Sequence, residues 1–481
     1  MKHYDCIVIG TGPAGQKGAI QAAKLGKRVA IIEKNTVLGG AQINTGTIPS
    51  KALREAVLHL TGANSRGFLG SAHRVKRQIT IADLVSASQQ VIRHEWDVIR
   101  DQFERNGVDL IWGSAEFVSP TELKISRDGE AELVSADKFL VSVGTRPARP
   151  ASVPFNGRTV FCSDEILHLQ HLPRTMIVVG GGVIGTEYAC IMATLGVRVT
   201  LVEGRDRVLG FLDQEISDAF HYFLRQGGIT LRLGEKVDRI EEVELHNGTT
   251  HHLVQAQLES GKKLRAETLL FAVGRQGVCG SLGLDKVGIE FDDRERLRVN
   301  DSYQTNVEHV YAAGDVIGFP ALASTSMEQG RRAICHAFGQ DDVGNYNTTL
   351  FPYGIYAVPE ISMVGKTEEQ LTEEGVPYEA GVANYREIAR GQLLGDTLGM
   401  LKLLIHQDTH KILGVHVIGT GATELIHIGQ AVMALDGDAE FFINNVFNFP
   451  TLAECYKVAA YNGLNKLNHV CGGVVDEFVE A

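Results

Sequence analysis

Residues Ile7 to Glu33 read IVIGTGPAGQKGAIQAAKLGKRVAIIE, and their order decides the fold. An apolar run from Tyr4 to Gly10 opens into Gly10-x-Gly12-x-x-Gly15, and a helical pattern continues to about Leu25. A second run, Arg28 to Ile32, ends in Glu33, eighteen residues past Gly15. Strand, glycine turn, helix, strand and acid in this order form a dinucleotide-binding unit. Gly10 permits the tight turn, Gly12 lets the backbone approach a pyrophosphate, and Gly15 lets helix and strand pack closely. The pyrophosphate is expected at the helix N-terminus, where free N–H groups and the dipole favour negative charge. Glu33 is expected to accept from ribose hydroxyls.

The pattern occurs twice. Met176 begins the run MIVVG, followed by Gly180-x-Gly182-x-x-Gly185, a helix to about Leu195 and a strand from Arg198 that ends in Glu203, again eighteen residues past the third glycine. Two units about 170 residues apart imply two dinucleotides in one chain. Glu203 on a ribose favours NAD, because a carboxylate repels a 2′-phosphate. Arg205 and Arg207, just beyond, offer compensating charge for NADP.

Outside these units the chain reads as a helix from about Ser50 to Leu60 and a scaffold helix from Ile81 to Arg105. A meander follows (Val108 to Phe117, Glu122 to Ile125, Ala131 to Val134), then a strand from Lys138 to Val143 that runs into Gly144. A run from Leu264 to Val273 ends in Gly274-Arg275, and Val310 to Ala313 ends in Gly314-Asp315, which can turn a carboxylate and several N–H groups toward one polar ligand. From Leu350 strands and helices alternate without a phosphate loop, as in a separate α+β domain. The fold class is therefore α/β, with two Rossmann-like dinucleotide-binding domains followed by an α+β domain.

Bulk properties exclude several classes. At 481 residues the chain is too long for one core. A net charge of −12 without a basic stripe argues against nucleic acid. No run of eighteen apolar residues is present, so no membrane span is expected. The N-terminus enters a strand at once, which leaves no room for a signal peptide. Seven cysteines without a C-x-x-C pair suit buried thiols in a reducing cytoplasm and no metal site.

The segment Gly39 to Lys51, GGAQINTGTIPSK, matches GG-x-C-x-N-x-G-C-I-P-S-K of the flavoprotein disulfide reductases, with Gln42 and Thr47 where those enzymes carry their redox cysteines. Near the C-terminus, Asn448-Phe449-Pro450-Thr451-Leu452-Ala453-Glu454 matches their His-Pro-Thr motif, with Phe449 in place of the histidine. Phenylalanine cannot carry a proton. Together with the two fingerprints, these stretches resemble the two-dinucleotide flavoprotein family of lipoamide dehydrogenase, glutathione reductase and mercuric reductase, over nearly the whole chain. Within it the chain looks like the branch of soluble pyridine nucleotide transhydrogenases, through GTIPSKALR (Gly46 to Arg54), FLDQE (Phe211 to Glu215), GVIG-x-EYA (Gly182 to Ala189) and ELIHIGQA (Glu424 to Ala431).

The resemblance implies that residues 1–150 and 276–349 form an FAD domain, 151–275 an NAD(P) domain and 350–481 a dimerisation domain. It implies that the first fingerprint binds FAD, with Asp315 on its ribityl chain, and that the second binds NAD or NADP. Lys51 pairs with Glu187 beside the flavin as the catalytic residues, and Gly40, Thr47, Gly144, Gly274 and Gly314 lie against the cofactors. The expected partners are nicotinamide dinucleotides and a second copy of the chain, as a homodimer or higher homo-oligomer. With no disulfide, the implied activity is hydride transfer between nicotinamide cofactors through FAD. Two alternatives stay open: an NAD(P)H dehydrogenase of the diaphorase type, and a non-catalytic flavoprotein redox sensor.

Overall fold

The computed structural model describes residues 1–62, 79–246, 250–340 and 350–471. The first fingerprint forms strand Lys2–Ile9, helix Pro13–Lys24 and strand Val29–Glu33. Pro13 suits the helix start, since the N–H it lacks would have no partner in the first turn. Strands Asp109–Trp112, Val29–Glu33, Lys2–Ile9 and Glu130–Val141 lie in this order, all parallel, and Val310–Ala312 joins the far end of Glu130–Val141. The near end of Glu130–Val141 instead pairs antiparallel with Glu122–Arg127, which pairs with Ser114–Ser119. The sequence reading placed two strands between Ala131 and Val143, but there is one. Its polar middle is absorbed because Ser135 meets the His3 ring nitrogen at 3.0 Å and Ala136 faces Tyr4.

The second fingerprint forms strand Thr175–Val179, helix Val183–Thr194 and strand Arg198–Glu203. These belong to a parallel sheet in the order Thr230–Leu233, Arg198–Glu203, Thr175–Val179, Thr268–Phe271, Val160–Cys162. The single run expected from Leu264 to Val273 is divided. Lys263–Ala266 belongs to an antiparallel three-stranded sheet with Val237–His246 and Thr250–Leu258. Glu267 fixes the corner, accepting from Arg174 N at 2.7 Å and donating its own N–H to Thr175 Oγ1 at 3.1 Å. A short ribbon of Thr145–Pro147 and Arg275–Gly277 connects the two lobes.

The C-terminal part is a five-stranded antiparallel sheet in the order Tyr353–Ile355, Ile361–Gly365, Ile412–Ile418, Met400–His406, Tyr378–Asn384. Helices Ala422–Ala434 and Glu454–Cys471 pack on it. One apolar cluster joins all three parts. Leu53 and Val57 of helix Thr47–Thr61 belong to it together with Met192 and Leu201 of the second lobe and Ile355 and Ile361 of the C-terminal sheet.

Candidate active site

Glycine carries out the packing task read from the sequence. A Cβ on Gly15 would stand 1.9 Å from the Gly10 carbonyl oxygen, and one on Gly185 would stand 1.9 Å from that of Gly180. Each helix can therefore start directly against its strand only if the third glycine has no side chain. By contrast, nothing lies within 4 Å of a Cβ placed on Gly182, and the nearest atom to one on Gly12 is 3.9 Å away. Those two backbones face open space, as the approach of a pyrophosphate requires.

That space is one continuous cavity of about 1430 Å³ between the lobes. Single small-molecule sites run to about 300–1,000 Å³, so this volume suits two dinucleotides. Gly10, Gly12, Glu33, Gly40, Thr47, Lys51, Gly144, Gly182, Glu187, Gly274, Gly314 and Asp315 line it. Gly15, Gly180 and Gly185 stand behind it in the packing contacts above, and Glu203 and Arg205 lie off it, at and just beyond the end of strand Arg198–Glu203.

Helix Thr47–Thr61 presents its first turn to the cavity and so brings Lys51 against the second lobe. Lys51 Nζ donates to Glu187 Oε1 at 2.8 Å and Oε2 at 2.7 Å, and sits 4.9 Å from the centre of the Tyr356 ring. Glu187 is buried at 3% exposure and also accepts from Tyr356 N at 2.9 Å. The lysine position is thereby set by residues from all three parts of the chain. Gln42 and Thr47, at the former cysteine positions, both line the same cavity. No cysteine is among the described residues that line it, and Cys6, Cys162, Cys190, Cys279, Cys335 and Cys455 are buried and in no disulfide.

Both acids at the strand ends are already hydrogen-bonded. Glu33 Oε2 accepts from Thr11 Oγ1 at 2.5 Å and Thr11 N at 3.2 Å, while Oε1 accepts from Asn35 N at 2.9 Å. Glu203 Oε2 accepts from Gly181 N at 2.6 Å and Arg205 Nη2 at 3.3 Å, and Oε1 accepts from Arg205 N and Nε, each at 3.0 Å. Burial pushes the Glu203 carboxyl up, but the Arg205 guanidinium and the Arg205 and Gly181 amides outweigh it and hold it below the usual carboxylate range. Arg207 is turned elsewhere, onto Gln214 Oε1 at 2.5 Å and Glu369 Oε1 at 3.3 Å.

Asp315 follows Gly314, whose N–H donates to Gln329 Oε1 at 2.9 Å. The carboxylate accepts from Thr145 Oγ1 at 3.2 Å, and Arg275 holds that threonine through Nε on Oγ1 at 2.8 Å and Nη2 on its carbonyl at 2.9 Å. Sequence reasoning missed Thr145, Arg275 and Tyr188. Tyr188 also lines the cavity, and its buried hydroxyl has no hydrogen-bond partner among the described residues. Arg275 directly follows the glycine that was singled out, which is the one signal that pointed to it. The open space before Gly12 and Gly182 fits bound dinucleotides.

Two nucleotide lobes opening on one cavity, with a lysine–glutamate pair at their junction, define an oxidoreductase that works through two dinucleotides. The chain belongs to the pyridine nucleotide-disulphide oxidoreductase family, whose pattern matches residues 4–330, with the family's dimerisation domain at 351–460. Among its relatives are proteins named soluble pyridine nucleotide transhydrogenase. One from Mycobacterium bovis is 51% identical over 97% of this chain and 98% of its own, and one from Vibrio parahaemolyticus is 45% identical over 97% and 99%. Among solved structures, the Cu(II) complex of the HOCl-induced flavoprotein disulfide reductase RclA from Escherichia coli aligns with a TM-score of 0.84 at 27% identity, over 96% of this chain and 99% of that one.

Proposed function

We propose that this chain catalyses FAD-dependent hydride transfer between nicotinamide cofactors, NADPH and NAD⁺ giving NADP⁺ and NADH, without a redox-active disulfide. The observation that carries the reading is the Lys51–Glu187 pair in a cavity where Gln42 and Thr47 replace both thiols. Gly10, Gly12, Gly40, Gly314, Asp315 and Glu33 would hold FAD, and Gly182 with the helix behind it would hold the nicotinamide nucleotide. FAD supplies a ring that accepts a hydride from one nicotinamide and yields it to another. Lys51 supplies a fixed positive charge at the junction of the lobes, favouring the negative charge that accompanies hydride arrival. Glu187 and the Tyr356 amide hold that charge in place. Val183, a small side chain on the cavity wall, leaves the nicotinamide room, and donor and acceptor nucleotides use the site in turn.

In this reading residues 1–150 and 276–349 form the flavin domain, 151–275 the nicotinamide domain, and 350–481 the part that pairs with a second copy of the chain. No helix among the described residues is long and apolar enough to cross a membrane, in keeping with a place in the cytoplasm. Stopped-flow spectroscopy tests the function. NADPH bleaches the bound flavin, NAD⁺ restores its colour, and no long-wavelength thiolate-to-flavin charge-transfer band develops on two-electron reduction. A band abolished by thiol alkylation refutes the disulfide-free reading. Colour restored by a quinone and not by NAD⁺ makes the protein a diaphorase.

A further inference from the structure

The two oxygens of Glu203 offer about four lone-pair positions. Gly181 N, Arg205 N, Arg205 Nε and Arg205 Nη2 occupy all of them. In this arrangement the acid that should receive a ribose diol has nothing left to accept with. Arg205 is the movable member, because its side chain is 59% exposed while that of Glu203 is 9% exposed.

A second cation stands beside the pair. The turn after strand Thr230–Leu233 is tied to this strand end by Gly234 N on the Arg205 carbonyl at 2.7 Å and Glu235 N on the Glu203 carbonyl at 3.1 Å. The tie lays the stem of exposed Lys236 over Gly204, where a Cβ would stand 3.0 Å from Lys236 Cγ and press the stem aside. The neighbouring Glu235 is paired with another cation, its Oε1 accepting from Lys262 Nζ at 2.5 Å and Ser260 Oγ at 3.0 Å.

We propose that Glu203, Arg205 and Lys236 form a two-position selector for the adenosine ribose of the nicotinamide nucleotide. With Arg205 folded onto Glu203, the acid is neutralised, and the donors left on Arg205 together with Lys236 seat a 2′-phosphate. With Arg205 swung into solvent, Glu203 is released to accept from the 2′- and 3′-hydroxyls of NAD. One exposed guanidinium thus lets a single site serve both nucleotides in alternate half-reactions. The selector rests on the transhydrogenase reading, and it deepens that reading by naming how the site tells its two substrates apart.

Calorimetric titration of the FAD-loaded protein with adenosine 2′,5′-bisphosphate and with 5′-AMP tests it. Lys236→Gln weakens the bisphosphate by about tenfold, the size of one charge-assisted hydrogen bond, and changes 5′-AMP by less than about twofold. Lys236→Arg restores the bisphosphate. Arg205→Ala weakens the bisphosphate and tightens 5′-AMP, because it frees Glu203. The proposal is overturned if Lys236→Gln moves both fragments alike or neither, or if Arg205→Ala leaves 5′-AMP unchanged or weaker. Neither fragment carries a nicotinamide. If hydride transfer fails while the fragments behave as stated, the transhydrogenase reading falls and the selector stands.

Discussion

Lys51 is both a structural ion and the proposed catalytic charge, and the two roles separate by substitution. Removing Lys51 leaves the Tyr356 amide as the remaining partner of buried Glu187 among the described residues, and breaking such a pair costs about 3–5 kcal/mol. Lys51→Ala therefore lowers the thermal midpoint, and it slows flavin reduction by about tenfold or more, at about 1.4 kcal/mol per decade. Adding Glu187→Gln removes the stranded charge, so the double variant regains most of the stability but none of the rate. Recovery of both in stopped-flow and melting measurements makes Lys51 a structural residue only. The pair was legible in the sequence because each member sits in a motif with a fixed frame. The clasp of Arg205 on Glu203 was not, since it depends on how a solvent-exposed side chain folds back in three dimensions. The sequence reading therefore allotted the two residues to separate ligands.

At the scale of elements, helix Thr47–Thr61 touches every part of the molecule. One turn beyond Lys51, Arg54 Nε donates to the Ala357 carbonyl at 3.0 Å and Nη2 pairs with Glu360 at 3.1 Å, which fixes the helix to the C-terminal sheet. On that sheet, strand Ile412–Ile418 carries His416, 1% exposed, with Nε2 on the Lys366 carbonyl at 2.9 Å and Nδ1 without a partner among the described residues. Burial holds its proton affinity below the ordinary histidine range, against the attraction of Asp213 and Glu369 and with the repulsion of Lys402. A depressed folded-state value gives stability that is present above the unfolded value of about 6.5 and is lost as pH falls below it. The protein accordingly loses stability between pH 7 and 5, and His416→Gln flattens that loss in urea titrations. His221, which burial also depresses and whose Nε2 accepts from Val208 N at 3.3 Å, contributes in the same direction. An equal slope in variant and parent removes His416 from the account. Strand identity here followed from alternation, but which face buried a histidine did not.

Across the whole molecule, the second lobe and the C-terminal part are joined at Lys402, which is fully buried. Its ammonium reaches Asp213 at 2.8 Å, Glu215 at 2.9 Å and Glu368, while Asp213 also accepts from the Glu215 and Glu368 amides. Burial draws the lysine down, yet these three carboxylates outweigh it and raise its proton affinity above the ordinary range. Lys402→Met strands the carboxylates and costs about 3–5 kcal/mol, and adding Asp213→Asn recovers part of that. An unchanged unfolding midpoint in Lys402→Met refutes the latch. The motif around Asp213 was visible in the sequence. Its partner Lys402 was not, because a lysine inside a strand-like run reads as solvated until the strand order places it beside an acid from another lobe.

The first lobe is assembled from two distant stretches of the chain. Helix Ala323–Ala337 lies so close to helix Pro13–Lys24 that a Cβ on Gly330 would stand 2.1 Å from the Ala14 carbonyl oxygen, and Val310–Ala312 supplies a strand to the same sheet. During synthesis, then, the earliest-made phosphate turn waits with an open edge and an uncovered helix while the whole second lobe emerges and closes on itself. The order in which the two lobes can be completed is thereby reversed relative to the order of their motifs. The nascent chain can close its second nucleotide lobe first, and it completes the first only when strand Val310–Ala312 and helix Ala323–Ala337 have left the ribosome.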